Sequence, residues 1–129
     1  MAKILKLALL AILLTGCATT DTVRQEKGEG DKQLFDHTYD AVFDATLVVA
    51  GKQGLELVEQ DRDNGTIMLS HGVTLWSWGE RIAVFIKKMS TTQTEVEIIS
   101  KPIMAPLNFP PDWVNRIFDE MDRELGAPK

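Results

Sequence analysis

The stretch LELVEQDRDNGTIMLSH, residues 55–71, decides the fold class. Two runs of residues that favour strands flank an acidic turn, and the Asn64-Gly65 pair in that turn is a strong signal for a β-hairpin. Apolar residues recur at alternate positions in both runs, which is the period of a strand with one buried face. The stretch therefore predicts two antiparallel strands, 55–60 and 66–71.

Two more strands are predicted further along the chain. Residues 81–88 and 94–101 show the same alternation, and the short connection between them predicts a second tight hairpin. Residues 72–80 carry Trp76 and Trp78 and no helical pattern, so the sheet should be a four-stranded antiparallel meander. The residues predicted to face the core are Leu55, Leu57, Ile67, Leu69, Ile82, Val84, Ile86, Val96 and Ile98.

Helices are predicted on both sides of this sheet sequence. Apolar residues recur at helical spacing over 36–52 and again over 113–125, where Asp112 is in position to cap the helix. Each helix has one apolar stripe, so both should cover the same sheet face. The expected fold is an α+β two-layer sandwich in the order α-β-β-β-β-α. Residues 102–111 hold four of the five prolines and predict an extended crossing segment.

The N-terminus has the pattern of a secretory signal. Lys3 and Lys6 precede a short apolar run, and small residues lead to Cys17. The sequence Leu14-Thr15-Gly16-Cys17 resembles the lipobox of bacterial lipoproteins. The resemblance implies cleavage before Cys17, a diacylglycerol on its sulfur and an acyl chain such as palmitate on its new amine. Because Cys17 is the only cysteine, lipidation also accounts for an unpaired thiol in an exported protein.

These signals predict the domain organisation. Residues 1–16 are expected to be the signal peptide, 17–33 the lipidated cysteine with a flexible tether reaching roughly 20–25 Å, and 34–126 a single domain. Position 18 is Ala and not Asp, a pattern that resembles outer-membrane lipoproteins of enteric-type bacteria, so we expect the protein in the outer membrane, facing the periplasm. The net charge is −5 and falls by two more units without the signal lysines. An acidic protein is poorly suited to bind nucleic acid.

No motif predicts catalysis, a metal or a cofactor. Ser70 and His71 are neighbours on one strand, so their side chains point to opposite faces and cannot form a nucleophile–base pair. Asp36, Asp40 and Asp44 repeat every four residues, a pattern that fits either a cation site or, more often, a solvated helix face. The acidic turn 61–65 only partly matches a calcium loop. We therefore expect a protein that is not an enzyme.

The outer face of the predicted sheet is unexpectedly apolar. We predict a partner surface there, because large exposed apolar patches often mark contact sites. Two alternatives remain open: the proline segment covers this face, or a tryptophan closes one end of the core. The predicted surface consists of Val58, Met68, Phe85 and Ile99 on the strands, with Trp76 and Trp78 on the nearby loop.

Several features together resemble small uncharacterised bacterial lipoprotein domains. They are Gly54-Leu55 after a helix, the turn DRDNG at 61–65, Trp78-Gly79-Glu80 before a hairpin, and a closing helix. More distantly, the layout is similar to the helix-and-sheet domains of the C subunit of the β-barrel assembly machinery. The resemblance implies a binding or accessory role without catalytic residues.

The expected function is a non-enzymatic, lipid-anchored envelope protein that binds another envelope protein on the periplasmic side of the membrane. The alternative is a periplasmic carrier or sensor of a small apolar ligand. A closed cavity lined by Leu and Ile would favour the carrier, and a filled core with an exposed apolar surface would favour the adaptor.

Overall fold

A computed structural model describes residues 20–104 and 111–126. The predicted signal peptide, Cys17 and most of the proline segment lie outside these residues. The described residues form α1 (Thr20–Gln25), β1 (Asp31–Phe35), α2 (Tyr39–Lys52), β2 (Glu56–Asp61), β3 (Thr66–His71), β4 (Glu80–Lys88), β5 (Thr94–Pro102) and α3 (Trp113–Leu125). None of the helices in this part of the chain is long and apolar enough to cross a membrane.

The sheet has five strands in the order β1-β5-β4-β3-β2, and every neighbouring pair is antiparallel. The α+β class and both predicted hairpins are confirmed. Gly65 makes the first hairpin possible: its φ is +69° and an added Cβ would lie 2.0 Å from the carbonyl oxygen of Ile86. The four-strand prediction was wrong, because β1 pairs with β5 along the edge that the meander left open.

The helices α2 and α3 lie together on one face of the sheet, as predicted, and enclose the main core. Thr38 caps α2 by accepting a hydrogen bond from the Ala41 amide, and Asp112 caps α3 by accepting from Asn115. All the residues predicted to face the core lie in it except Leu57. Leu57 is 43% exposed although it lies opposite the core residue Leu69, because β2 is an edge strand of the sheet and its residues 56–60 are all exposed.

The segment predicted as a flexible tether is folded from Thr20 onward. Residues 20–25 form α1, and 31–35 form the edge strand β1. The sequence pattern missed them because α1 offers a single large apolar residue, Val23, and the strand begins with three polar residues. Both become ordered through long-range contacts: Val23 is buried against the outer face of the sheet, and β1 pairs with β5. The folded domain therefore begins at least fourteen residues earlier than predicted.

A buried carboxylate fastens this N-terminal segment to the sheet. Glu97 lies on the outer face of β5 and is only 5% exposed. Its Oε2 accepts hydrogen bonds from the backbone amides of Gly28 at 2.8 Å and Gly30 at 2.9 Å. Hydrogen bonds to an ionised acceptor are among the stronger ones in proteins. The two hydrogen bonds offset the free-energy cost of burying the Glu97 carboxylate, and they fix the position of the chain between α1 and β1.

Gly30 should be intolerant of a side chain. An added Cβ would lie 2.6 Å from both the Ile98 carbonyl oxygen and Cγ1 of Ile99. We expect Gly30→Ala to lower the free energy of unfolding by about 1–3 kcal/mol, the usual cost of overpacking. The measurement is urea denaturation of the purified protein.

The matched control is Gly51→Ala in α2, where an added Cβ meets nothing within 4 Å. It should raise stability by about 0.5 kcal/mol, because alanine favours a helix more than glycine does. Equal effects of the two substitutions would show that the close approach at Gly30 does not hold the segment in place.

Candidate functional site

The six residues of the predicted partner surface do not form one continuous band. Met68, Phe85 and Ile99 are at most 5% exposed, because α1 covers them, and Ala83 and Val23 complete this second apolar cluster. We call Met68, Ala83, Phe85 and Ile99 the outer band. Val58, Trp76 and Trp78 remain exposed, but Val58 lies on the edge strand β2 and the tryptophans on the loop before β4. Among the described residues, the N-terminal segment covers the outer face.

The largest exposed apolar group among the described residues is on the loop 72–79, here called the Trp loop. Leu75 is 95% exposed, Trp76 71%, Val73 70% and Trp78 48%. Met104, 45% exposed, follows Ile103, whose amide donates to the carbonyl oxygen of Gly79 at the base of the loop. Leu75 and Val73 were absent from the predicted surface. The signal available for them was the concentration of four large apolar residues in the six-residue sequence VTLWSW, residues 73–78.

Polar contacts hold the Trp loop in one shape. The Thr74 amide donates to the carbonyl oxygen of Ser77 at 2.7 Å, and the Thr74 hydroxyl accepts from the amides of Trp76 and Ser77. Side-chain hydrogen bonds of this kind close a turn without a strand or helix. The hydrogen bonds of Thr74 and Ser77 therefore close a turn from which the apolar side chains extend into solvent.

A fully buried carboxylate ties this turn to the sheet. Glu80, the first residue of β4, has no exposed surface. Its Oε1 accepts from the Ser77 hydroxyl at 2.6 Å, and its Oε2 lies 3.1 Å from Nδ1 of His71. The Ser77 hydroxyl also accepts from the Gly79 amide. Sequence analysis missed this cluster, because only the pairing of β3 with β4 brings His71 opposite Glu80.

The order of groups in this cluster differs from that of a nucleophilic triad. In a triad the imidazole lies between the hydroxyl and the carboxylate and takes the hydroxyl proton. Here the carboxylate lies between the hydroxyl and the imidazole, so Ser77 donates to Glu80. The neighbouring Ser70 hydroxyl accepts from the Arg81 guanidinium. The geometry of Glu80 therefore fits a structural role.

The cluster continues into α3 through contacts of the Trp113 ring with His71 and Arg116. The ring centroids of His71 and Trp113 are 4.7 Å apart, and the Arg116 guanidinium lies 5.5 Å from the centre of the Trp113 ring. Trp113 is 3% exposed, and its buried indole Nε1 has no hydrogen-bond partner within the described part of the chain. The Trp loop, the sheet end and the first turn of α3 are thus one packed unit.

A second, smaller apolar surface lies on the edge strand β2. Leu57 and Val58 are consecutive residues of this strand and are both exposed, 43% and 48%. Leu57 lies opposite Leu69, and the register shift after it leaves Val58 as the extra residue of a bulge. A bulge, together with charged residues such as Glu59, protects an edge strand from the addition of another strand. A partner would therefore contact these side chains without extending the sheet.

The acidic residues considered as cation sites are engaged with protein groups. Arg62 binds Asp40 at 3.0 Å and also Asp44, and the Asp44 hydrogen bond raises the pKa of Arg62. In the turn, Asp61 accepts from the side chain and the backbone of Asn64, which lowers the pKa of Asp61. Within residues 20–104 and 111–126 no group of three or more His, Cys, Asp or Glu residues is placed to hold a metal.

Comparison with known proteins corrects the resemblance drawn from the sequence. No family model matches the chain, and no curated protein matches it. Solved structures that match include the crystal structure of Ara h 8.0201, a plant allergen, at 14% identity and a TM-score of 0.45, covering 74% of this chain and 95% of that one. The resemblance to small bacterial lipoprotein domains and to the C subunit of the β-barrel assembly machinery was therefore wrong. Structural similarity at this TM-score and sequence identity does not indicate a function.

Removing the Ser77 hydroxyl should loosen the Trp loop. Ser77→Ala takes one partner from the buried Glu80 and one acceptor from the Gly79 amide, at a cost of about 1–3 kcal/mol. We expect faster chymotrypsin cleavage in the loop under native conditions, at Leu75 or Trp76. Ser90→Ala, in the exposed turn between β4 and β5, is the control and should leave cleavage unchanged. Identical cleavage of both variants would contradict the role given to Ser77.

Proposed function

We propose that this protein is a non-enzymatic lipoprotein of the cell envelope, lipidated on Cys17 in the outer membrane and facing the periplasm, where it binds another envelope protein. The observation that carries the adaptor role is the exposed Leu57–Val58 pair on β2. An edge strand that turns two consecutive apolar side chains to solvent, and is protected from strand addition, favours a specific side-chain contact.

The proposed lipid anchor rests on the sequence Leu14-Thr15-Gly16-Cys17, and it is tested separately from the partner contact. Cells are labelled with an alkyne analogue of palmitate, and the protein is isolated and examined for label. We expect label on the wild-type chain, and none on the Cys17→Ser variant. An unlabelled wild-type protein of full precursor length would rule the anchor out.

The partner contact is tested with a photo-cross-linking amino acid in place of Val58, in living cells. The matched control replaces Val48 on α2, a valine of similar exposure, 45% against 48%. We expect a discrete cross-linked product with one envelope protein from position 58 and none from position 48. Leu57→Glu should abolish the product, because it places a charge in an apolar contact.

The same pattern of products from both positions would contradict a specific contact at β2. Circular dichroism of the Leu57→Glu protein provides the folding control. Since Leu57 is already 43% exposed, its replacement should leave the fold intact.

The second candidate function is the carrier of a small apolar ligand, and one observation favours it. The buried indole Nε1 of Trp113 has no hydrogen-bond partner among residues 20–104 and 111–126, and buried polar groups usually have one. A ligand with an apolar body and one acceptor atom would satisfy it. Organic extraction of the purified protein, followed by mass spectrometry, should then recover one compound in a molar amount, and Trp113→Phe should lose it.

A further inference from the structure

The Trp loop has the composition of a segment that lies at a membrane surface. Its residues 72–79 include no charged side chain, although the protein as a whole is acidic. The acid at its base, Glu80, is completely buried. Tryptophan is enriched where membranes meet water, because its ring has an apolar body and a polar N–H. The loop would therefore enter the interface without desolvating a charge.

The size of the loop also favours a bilayer over a protein partner. A stable protein interface buries about 800 Å² on each side over a complementary surface. The Trp loop is instead a short tip, on which the most exposed side chain, Leu75, has 95% of its surface in solvent. A fluid bilayer needs no complementary shape, so a tip of this kind can bury its side chains in it.

Contacts with the strands show where α1 lies on the sheet. Val23 packs on the outer band, in which Met68, Ala83 and Ile99 share one row of cross-strand neighbours. Glu26, directly after α1, pairs with Lys101, one row from the end of the sheet that carries the Trp loop. The contacts of α1 therefore reach close to that end of the sheet.

The lipid would be close to that end. Two residues lie between Cys17 and Thr20, where α1 begins, and the three residue steps from Cys17 to Thr20 span at most about 11 Å. The predicted tether would have allowed the domain to stand well clear of the membrane. The folded segment removes that freedom, so a lipid on Cys17 would hold the Trp loop end near the bilayer.

Basic side chains accompany the loop on the neighbouring strands. Arg81 and Lys101 are register partners one row below the end of the sheet, and Lys101 keeps 42% of its side chain exposed while it pairs with Glu26. Lysine and arginine near a bilayer are attracted to anionic phospholipid head groups. They favour the same orientation as the apolar loop.

We propose that the Trp loop inserts into the bilayer interface beside the lipid anchor, so that the protein is attached at two points and held in one orientation. This inference rests on the proposed lipidation of Cys17. In this orientation β2 lies to the side of the attachment, and Val58 stays accessible to a partner.

The test uses the lipidated protein reconstituted in vesicles of phosphatidylethanolamine and phosphatidylglycerol. Part of the lipid carries bromine on its acyl chains near the head groups, which quenches tryptophan emission at short range. We expect lower emission in brominated than in unbrominated vesicles. The difference should fall strongly in Leu75→Ser, which removes the most exposed apolar side chain and leaves every tryptophan in place.

The matched control is Met89→Ser. Met89 is 47% exposed in the turn between β4 and β5, at the opposite end of the sheet, and its replacement should leave quenching at the wild-type level. Palmitate label on each sample separates the two proposals. Labelled, vesicle-bound wild-type protein without quenching would overturn the loop insertion and leave the anchor standing.

Two other outcomes also count against the inference. Absence of the label would overturn the lipid anchor, and the two-point attachment with it. A specific protein cross-linked in cells through a photo-reactive residue at position 75, with no quenching by brominated lipid, would show that the loop binds a protein instead.

Discussion

The fold depends on covering both faces of the sheet. Helices α2 and α3 cover one face, and the other carries the outer band, whose exposure to water would be costly. A helix of six residues is not stable by itself, so α1 needs an attachment. The buried carboxylate of Glu97, in turn, needs hydrogen-bond donors. The amides of Gly28 and Gly30 bind Glu97 and meet both requirements, so that polar contacts hold an apolar cover in place.

This cover connects the architecture to the proposed placement at the membrane. Residues 20–35 belong to the domain, so the proposed lipid on Cys17 would be close in sequence to the folded part of the chain. The exposed apolar side chains divide by position: the Trp loop lies at one end of the sheet and Leu57–Val58 along one edge. Two separate surfaces would allow the protein to contact a bilayer and a partner at the same time, as proposed.

Sequence patterns predicted the elements whose side chains repeat regularly. The helices ending at Lys52 and Leu125, the Asn64-Gly65 hairpin and nearly all of the inward-facing residues were confirmed. The failures occurred where order comes from distant residues. Edge strand β1 has a polar beginning and gains its order from β5. Leu57 followed the alternation and lies opposite the core residue Leu69, but it is exposed because β2 is at the edge of the sheet.

The sequence by itself determined the α+β class, the core face and the candidate lipidation site, because periodicity, turn residues and the lipobox are local signals. Tertiary structure alone decided which exposed residues remain available for contacts. Met68, Phe85 and Ile99 have the same apolar character as Val58, yet α1 buries them. Likewise His71, Ser77 and Glu80 form one cluster only because β3 and β4 pair. Burial and polar contacts between distant residues depend on how the elements pack, which no local pattern records.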